Sequence, residues 1–189
     1  MYLQNYIGIS LITYILCCKY LSRFEEKTKQ RNLAFKRSMS NFILLLAIVL
    51  THNLKLPTKN NVWYVDLCAL IVWVIGAEII FSVGHYTLHN EHLYWIHKQH
   101  HENNPSFSTS CIDCNFIEFV TTNISSIGLP MYLFPGSLGM GIFWIIFATV
   151  NTCIAHSKEG DHMIHHKRFR YNYSQGSYLF DKIMGTYLK

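Results

Sequence analysis

The chain has 189 residues and a net charge of +5, with 14% charged and 50% hydrophobic residues. Soluble domains usually carry about 25% charged residues, so this composition argues against a disordered chain and against a freely soluble one. The six cysteines lack the pattern of a secreted disulfide scaffold. The 11 histidines are as numerous as Asp and Glu together, and this excess needs a chemical explanation.

Five apolar segments are candidates to cross a bilayer as helices, which takes about 17–25 residues each. They cover residues 1–18, 38–54, 62–83, 115–134 and 137–155. We interpret the first as a retained anchor and not as a signal peptide, because its basic residues follow the apolar run instead of preceding it. Pro135-Gly136 separates the last two, and this turn signal predicts a helical hairpin.

The distribution of positive charge predicts the orientation. Of the 16 Lys and Arg residues, only Lys55 and Lys59 fall between the second and third segments. Since basic loops stay in the cytosol, this loop is expected to be luminal, and the loop 19–37 and the aqueous parts of residues 84–189 are expected to be cytosolic. A nucleic-acid role is disfavoured, because no basic and aromatic groove pattern occurs.

All the histidines except His52 follow the third segment, and most form three clusters with helical spacing. On a helix, positions i, i+3 and i+4 lie on one face, so each cluster presents its imidazoles in one direction. The clusters are His85 and His89 in GHYTLHN, His97, His100 and His101 in IHKQHHE, and His162, His165 and His166 in DHMIHHK.

The three clusters predict a metal site. Neutral imidazoles with few thiolates favour iron, zinc or copper over calcium or magnesium. Eight or nine ligands are too many for one tetrahedral zinc and suit two metals held close together. The charge distribution places all three clusters on the same side of the membrane, as a shared site requires. A lone HxxxH often arises by chance, but this combination is specific.

Several neighbours of the clusters are candidates to hold a ligating imidazole in place, because a carboxylate that accepts its second N–H fixes the tautomer. These candidates are Glu78, Glu118 and Asp161. Two interpretations of Glu78 remain open: it holds a ligand, or it lies near the interface and reaches water. His92 is kept outside the ligand set, because Asn90 indicates a helix break before the second cluster.

The order HxxxH, HxxHH, HxxHH, with a hairpin before the last cluster, resembles the fatty acid hydroxylase superfamily, which includes sterol desaturases, sterol methyl oxidases and lipid hydroxylases. The segment LYWIHKQHHENNPSFS resembles its second histidine box, and NFIEF places Glu118 where the family usually has a glutamate. The ending HHKRFRYNYSQGSYLFDKIMGTYL is also similar, including Asn172. The resemblance covers roughly residues 78–189, more than half of the chain.

This resemblance implies an all-α integral membrane protein with four or five membrane helices, including the hairpin, and a cytosolic helical cap that carries the histidine boxes. Residues 1–61 would form the N-terminal membrane segments and basic loop, and residues 62–189 the hydroxylase-like domain. The implied metal ligands are His85, His89, His97, His100, His101, His156, His162, His165 and His166. Glu78, Glu118, Asp161 and Asn172 would lie around them.

The implied activity is O2-dependent hydroxylation or desaturation of a fatty acyl, sterol or other lipid substrate from the bilayer. The implied cofactors are two iron ions, with zinc as a possible occupant in purified protein. Electrons would come from NAD(P)H through a b-type cytochrome or its reductase, in the endoplasmic reticulum membrane. The sequence does not distinguish hydroxylase, desaturase and methyl oxidase, since all three share the same ligands.

One departure from the family pattern keeps other functions open. Only residues 157–161 separate His156 from the last box, where family members have a longer segment that helps to cover the site. The alternatives are a metal-binding membrane protein without catalysis, and an inactive family member with an interaction role. A transporter or metal store would distribute its ligands across the depth of the membrane, whereas an enzyme would gather them at one face.

Overall fold

The computed structural model describes residues 2–157 and 162–189. Its α-helices are α1 Leu3–Leu21, α2 Lys29–His52, α3 Trp63–Leu88, α4 Tyr94–His101, α5 Phe116–Glu118, α6 Ser125–Leu133, α7 Leu138–Ala155, α8 His162–Lys167 and α9 Leu179–Met184. A π-helical turn, Phe119–Ile124, connects α5 to α6. The described residues contain no strand, only an isolated bridge between Tyr2 and Lys55, so the predicted all-α fold is confirmed.

Three helices, α2, α3 and α7, are long and apolar enough to span a membrane. They correspond to three of the five predicted segments. The other two segments form α1, with 19 residues, and the run from α5 to α6, which the π-helical turn interrupts. On α3 the large apolar side chains Ile71, Ile75 and Ile79 are each about half exposed, as expected of a helix whose outer surface contacts lipid tails.

The predicted hairpin is present, and side chains of α3 contact its turn. Ser137 caps α7 by accepting a hydrogen bond from the amide of Met140, which satisfies one of the free donors at a helix start. Asp66 at the start of α3 accepts hydrogen bonds from the amide and hydroxyl of Ser137. At Gly136 a Cβ atom would lie 2.6 Å from the Trp73 ring, so only glycine lets the turn approach α3 this closely.

One hydrophobic core joins the N-terminal helices to the rest of the chain. Helix α1 packs against α7 and α2, and Tyr14 on α1 is fully buried. Its hydroxyl donates a hydrogen bond of 2.8 Å to the carbonyl of Thr109, in the loop between α4 and α5. Phe42 on α2 packs edge-on against Phe119 in the π-helical turn, with ring centroids 5.5 Å apart. Both N-terminal helices therefore support the segment that follows the second histidine box.

Candidate metal centre

Nine histidines converge at the end of the bundle where α3 and α7 finish. They come from the last turn and C-cap of α3, from α4, from the C-cap of α7 and from α8. The histidines form a group of five and a group of four. Within each group, one ring nitrogen of every histidine lies within 4.8 Å of one ring nitrogen of each of the others. The first group is His85, His89, His97, His101 and His165, and the second is His100, His156, His162 and His166. All nine predicted ligands are thus brought together.

The predicted break before the second cluster is what allows this convergence. Helix α3 ends at Leu88, and α4 starts at Tyr94 after a turn in which Asn90 accepts a hydrogen bond from the amide of His92. The turn reverses the chain, so His97 packs against His85, with ring centroids 4.6 Å apart. The side chain of His92 is 84% exposed, so it lies outside the cluster, as predicted.

In the group of five, the Nε2 atoms point at one another. His97 Nε2 lies 2.9 Å from both His85 Nε2 and His101 Nε2. His165 Nε2 lies 3.0 Å from His89 Nε2 and 3.2 Å from His101 Nε2. One Nε2–H can donate along only one direction, so hydrogen bonds between neutral rings cannot satisfy all of these contacts at once.

Backbone carbonyls fix the tautomers of several rings. The carbonyls of Tyr173 and Tyr171 lie 2.7 and 2.8 Å from Nδ1 of His85 and His165 respectively. A carbonyl oxygen only accepts, so both Nδ1 atoms carry the hydrogen and both Nε2 atoms of these neutral rings present a lone pair. The lone pairs face the interior of the group, where a cation is the favourable partner.

The group of four contains nitrogen atoms without any partner. Among the described residues, His162 Nε2 and both ring nitrogens of His166 are buried and make no hydrogen bond. Both side chains are completely inaccessible to solvent. Leaving buried polar atoms unpaired is costly, and an ion held between these nitrogens would explain why they have no partner. This donor set fits a second metal ion.

The carboxylate of Glu118 contacts a histidine of the cluster directly. Its Oε1 lies 2.8 Å from Nδ1 of His97, and both side chains are buried. Burial, with a smaller contribution from Asp113, raises the pKa of Glu118 well above its usual value. A nearby cation would offset the cost of its negative charge, since a carboxylate that accepts from a ligating imidazole strengthens that ligand. In the structure Glu118 therefore contacts one of the predicted ligands, His97.

Two other predicted neighbours make different contacts from those expected. Glu78 accepts hydrogen bonds from the Ser177 hydroxyl and from the amides of Leu179 and Phe180, so it caps α9 and does not contact an imidazole. Asn172 pairs through its side chain with the amide and carbonyl of Leu188. Its backbone has a φ of 54°, and it lies between the two carbonyls that accept from His165 and His85. Asp161 lies outside the described residues.

Asp181 is a residue for which the sequence suggested no role. It is fully buried and accepts hydrogen bonds of 2.8 Å from the amides of Tyr173 and Ser174. The carbonyls of the same two residues accept from His85 and His162. Asp181 therefore positions two of the predicted ligands, His85 and His162, through the backbone of Tyr173 and Ser174. Only its place in the family-like ending could have pointed to it.

Burial also keeps the imidazoles neutral at physiological pH. Desolvation lowers the pKa of His89 and of His156 to about 4, and desolvation with neighbouring imidazoles lowers that of His101 to about 3. A histidine must be neutral to bind a metal. The cluster is therefore ready to bind cations at pH 7 without first losing protons.

We expect the metal-free protein to lose stability as the pH falls below about 6.5. In the unfolded chain these histidines bind protons near that value, whereas in the folded cluster they stay neutral down to about 4. Above pH 6.5 they are neutral in both states and contribute no pH dependence. Thermal unfolding of the metal-free protein across this range would measure the effect. A transition temperature that stays constant or rises on acidification would contradict a buried, neutral cluster.

A cavity of about 320 Å³ adjoins the histidines. Phe81 lines it, and the Phe81 ring packs against His85 and His162, with centroids 5.3 and 6.5 Å away. Thr152 lines it too, and the carbonyl of Thr152 lies 3.0 Å from Nδ1 of His156. The remaining wall is largely apolar, with contributions from α1, α2, α3, the π-helical turn, α6 and α7. Its size and lining suit a small apolar ligand.

Comparison with known proteins identifies the family. The family model for fatty acid hydroxylases matches residues 70–186, well over half of the chain. The match spans all nine clustered histidines, the hairpin, Glu118 and Asp181. Comparisons with curated proteins and with solved structures gave no significant match. The chain belongs to the fatty acid hydroxylase family.

Proposed function

We propose that the protein is a membrane-bound, O2-dependent oxidoreductase that hydroxylates, or desaturates, a fatty acyl, sterol or other lipid substrate. The observation that carries the proposal is the convergence of nine histidines, eight of them buried and His89 partly buried, in two groups directly beside an apolar cavity between candidate membrane helices. Ligands gathered at one end of the helices favour an enzyme over a transporter or store, which would distribute them across the membrane.

Two iron ions are the proposed cofactors, one held by each histidine group, and zinc is a possible occupant after purification. When bound, the metal pair would supply the activation of O2 by electron transfer that amino-acid side chains cannot provide. The chain's own contribution is to position the ligands. Carbonyls of Tyr171, Tyr173 and Thr152 and the carboxylate of Glu118 fix the orientation of four imidazoles, and burial excludes bulk water from them.

The substrate would enter sideways from the bilayer. Val74 on α3 and Phe147 on α7 both line the cavity, and their side chains are 39% and 47% exposed. The cavity wall therefore continues into the surface that faces lipid tails, which suits an apolar chain or ring system. Phe81 and Thr152 would bring the reacting carbon next to His85, His162 and His156.

The proposed location is the endoplasmic reticulum membrane with the histidines facing the cytosol. This orientation follows from the near absence of basic residues between α2 and α3. Electrons would come from NAD(P)H through a b-type cytochrome. Protease digestion of cells with a permeabilised plasma membrane tests the orientation: a tag after Lys189 should be cleaved, and a protected tag would contradict it.

Filling the cavity should lower turnover without removing the metals. Ala148 on α7 is buried and lines the cavity. An Ala148→Phe variant is expected to lower product formation about 10-fold or more, because the added ring occupies space that the substrate needs to reach its reactive position. Product would be measured by lipid profiling of expressing cells, with iron content measured on the purified chain.

Ile146→Phe is the matched control for this prediction. It adds a ring to the same helix, but Ile146 is 40% exposed and does not line the cavity. Its product level should match that of the unchanged chain. Full activity of Ala148→Phe with its fold and iron content intact would show that the substrate binds elsewhere.

A further inference from the structure

The histidine cluster approaches the protein surface at Phe169, which follows α8. Phe169 is 43% exposed, yet its ring centroid lies 4.4 Å from that of His101 and 6.2 Å from that of His89. An exposed ring in contact with a buried ligand shortens the path between the surface and the cluster. Any donor of electrons that docks over Phe169 would therefore lie close to the group of five histidines.

The side chains around Phe169 are strongly basic. Lys167, Arg168 and Arg170 are all exposed, and Lys167 and Arg168 share a surface groove with Lys189. Within residues 162–189 the one acidic side chain is Asp181, and it is fully buried. In the described part of the chain, no ion pair joins these three cations to a carboxylate. Among the described residues, the patch therefore presents positive charge that no ion pair neutralises.

This patch and the cavity lie on different sides of the cluster. Along α3, cavity-lining residues end at Phe81, His85 follows, and His89 caps the helix. Phe81 packs on His85, whereas Phe169 packs on His89 and His101. Phe169 therefore lies beyond the end of α3, away from its apolar span, where an aqueous partner has access.

We propose that residues 167–170 form the docking site for an acidic, one-electron carrier protein, and this inference rests on the proposed oxidoreductase function. Hydroxylation consumes two electrons: R–H + O2 + 2 e⁻ + 2 H⁺ gives R–OH + H2O. A haem carrier gives up one electron at each encounter, so two reduced carriers are oxidised for each product. Repeated exchange requires fast and reversible binding, which complementary charge on a small surface provides.

The test uses the full chain in nanodiscs and, as probe, the soluble haem domain of an acidic b-type cytochrome. Arg168→Glu/Arg170→Glu reverses two charges of the patch. Lys27→Glu/Lys36→Glu makes the same change in net charge at two exposed positions, one in the loop before α2 and one two turns into α2. Association rates are measured at several salt concentrations, and iron content and reduction by dithionite confirm that each variant is folded.

The patch variant should lower the association rate at low salt about 10-fold or more and flatten its salt dependence, with the control changed less than about twofold. Oxidation of the reduced haem domain under single-turnover conditions should slow in parallel. Equal effects in both variants, or none, would overturn the proposal. So would a patch variant that loses binding to phosphatidylserine vesicles but keeps binding to the haem domain, since the patch would then contact lipid headgroups.

The binding comparison does not depend on turnover. A chain that holds no iron or forms no hydroxylated lipid would refute the proposed function, and the two association rates would still decide whether residues 167–170 bind the carrier. Conversely, a chain that hydroxylates lipid with electrons from dithionite, yet binds the haem domain equally well in both variants, would refute only the docking site.

Discussion

A His165→Ala chain is expected to lose hydroxylation by about two orders of magnitude or more, since ligands of a shared two-metal site act as a unit. His165 is fully buried, and its Nε2 lies within 3.2 Å of those of His89 and His101. Its Nδ1 is held by the carbonyl of Tyr171. Removing the imidazole removes one of the five nitrogen donors of this group, so its affinity for a metal ion should fall.

His92→Ala is the control for this substitution. It also removes an imidazole from the segment beside the cluster, but His92 is exposed and lies outside both histidine groups. Its iron content and activity should equal those of the unchanged chain. Lipid profiling and elemental analysis measure the two quantities side by side. An active His165→Ala enzyme, or equal losses in both variants, would count against a shared centre.

Glu118 is not expected to bind metal itself, but its removal should also weaken iron binding. A Glu118→Ala variant is expected to weaken iron binding about 10–100-fold, the usual effect of removing a partner that orients a ligand. The loss follows because His97 Nδ1 would have no acceptor in a buried position. Glu118→Gln keeps an acceptor without the charge, so its iron affinity should fall between those of Glu118→Ala and the unchanged chain.

Competition with a chelator measures these affinities. Glu91→Gln is the control, because Glu91 is exposed and lies next to His92 outside the cluster. It should bind iron as the unchanged chain does. If Glu118→Ala bound iron as tightly as Glu91→Gln, the buried hydrogen bond to His97 would have no part in holding the metal.

The histidine cluster can be predicted from the sequence, because the histidines recur at helical spacing and because imidazole is a common metal ligand. The hairpin was also predictable, since Pro135-Gly136 marks its turn and its two halves are apolar. The family resemblance, carried by the boxes and the ending, is confirmed by the family match over residues 70–186. These features depend on residue type and local spacing, which a single sequence contains.

The groups that orient the histidines were harder to predict. Most are backbone carbonyls, at Tyr171, Tyr173 and Thr152, and every residue has a carbonyl, so sequence gives no sign of which ones are used. The sequence leaves two interpretations of Glu78 open, and neither indicates that it caps α9, a contact made across a long sequence separation. The π-helical turn after Glu118 has no recognisable pattern of its own, yet it carries part of the cavity wall.

The most direct test of the central claim is the number of metal ions per chain. The chain would be expressed with ample iron, purified anaerobically in nanodiscs and measured by elemental analysis against protein concentration. Two histidine groups predict two metal ions per chain, both released together with activity by a strong chelator. A stoichiometry of one or none, with the protein folded, would contradict the two-metal centre on which the proposed chemistry depends.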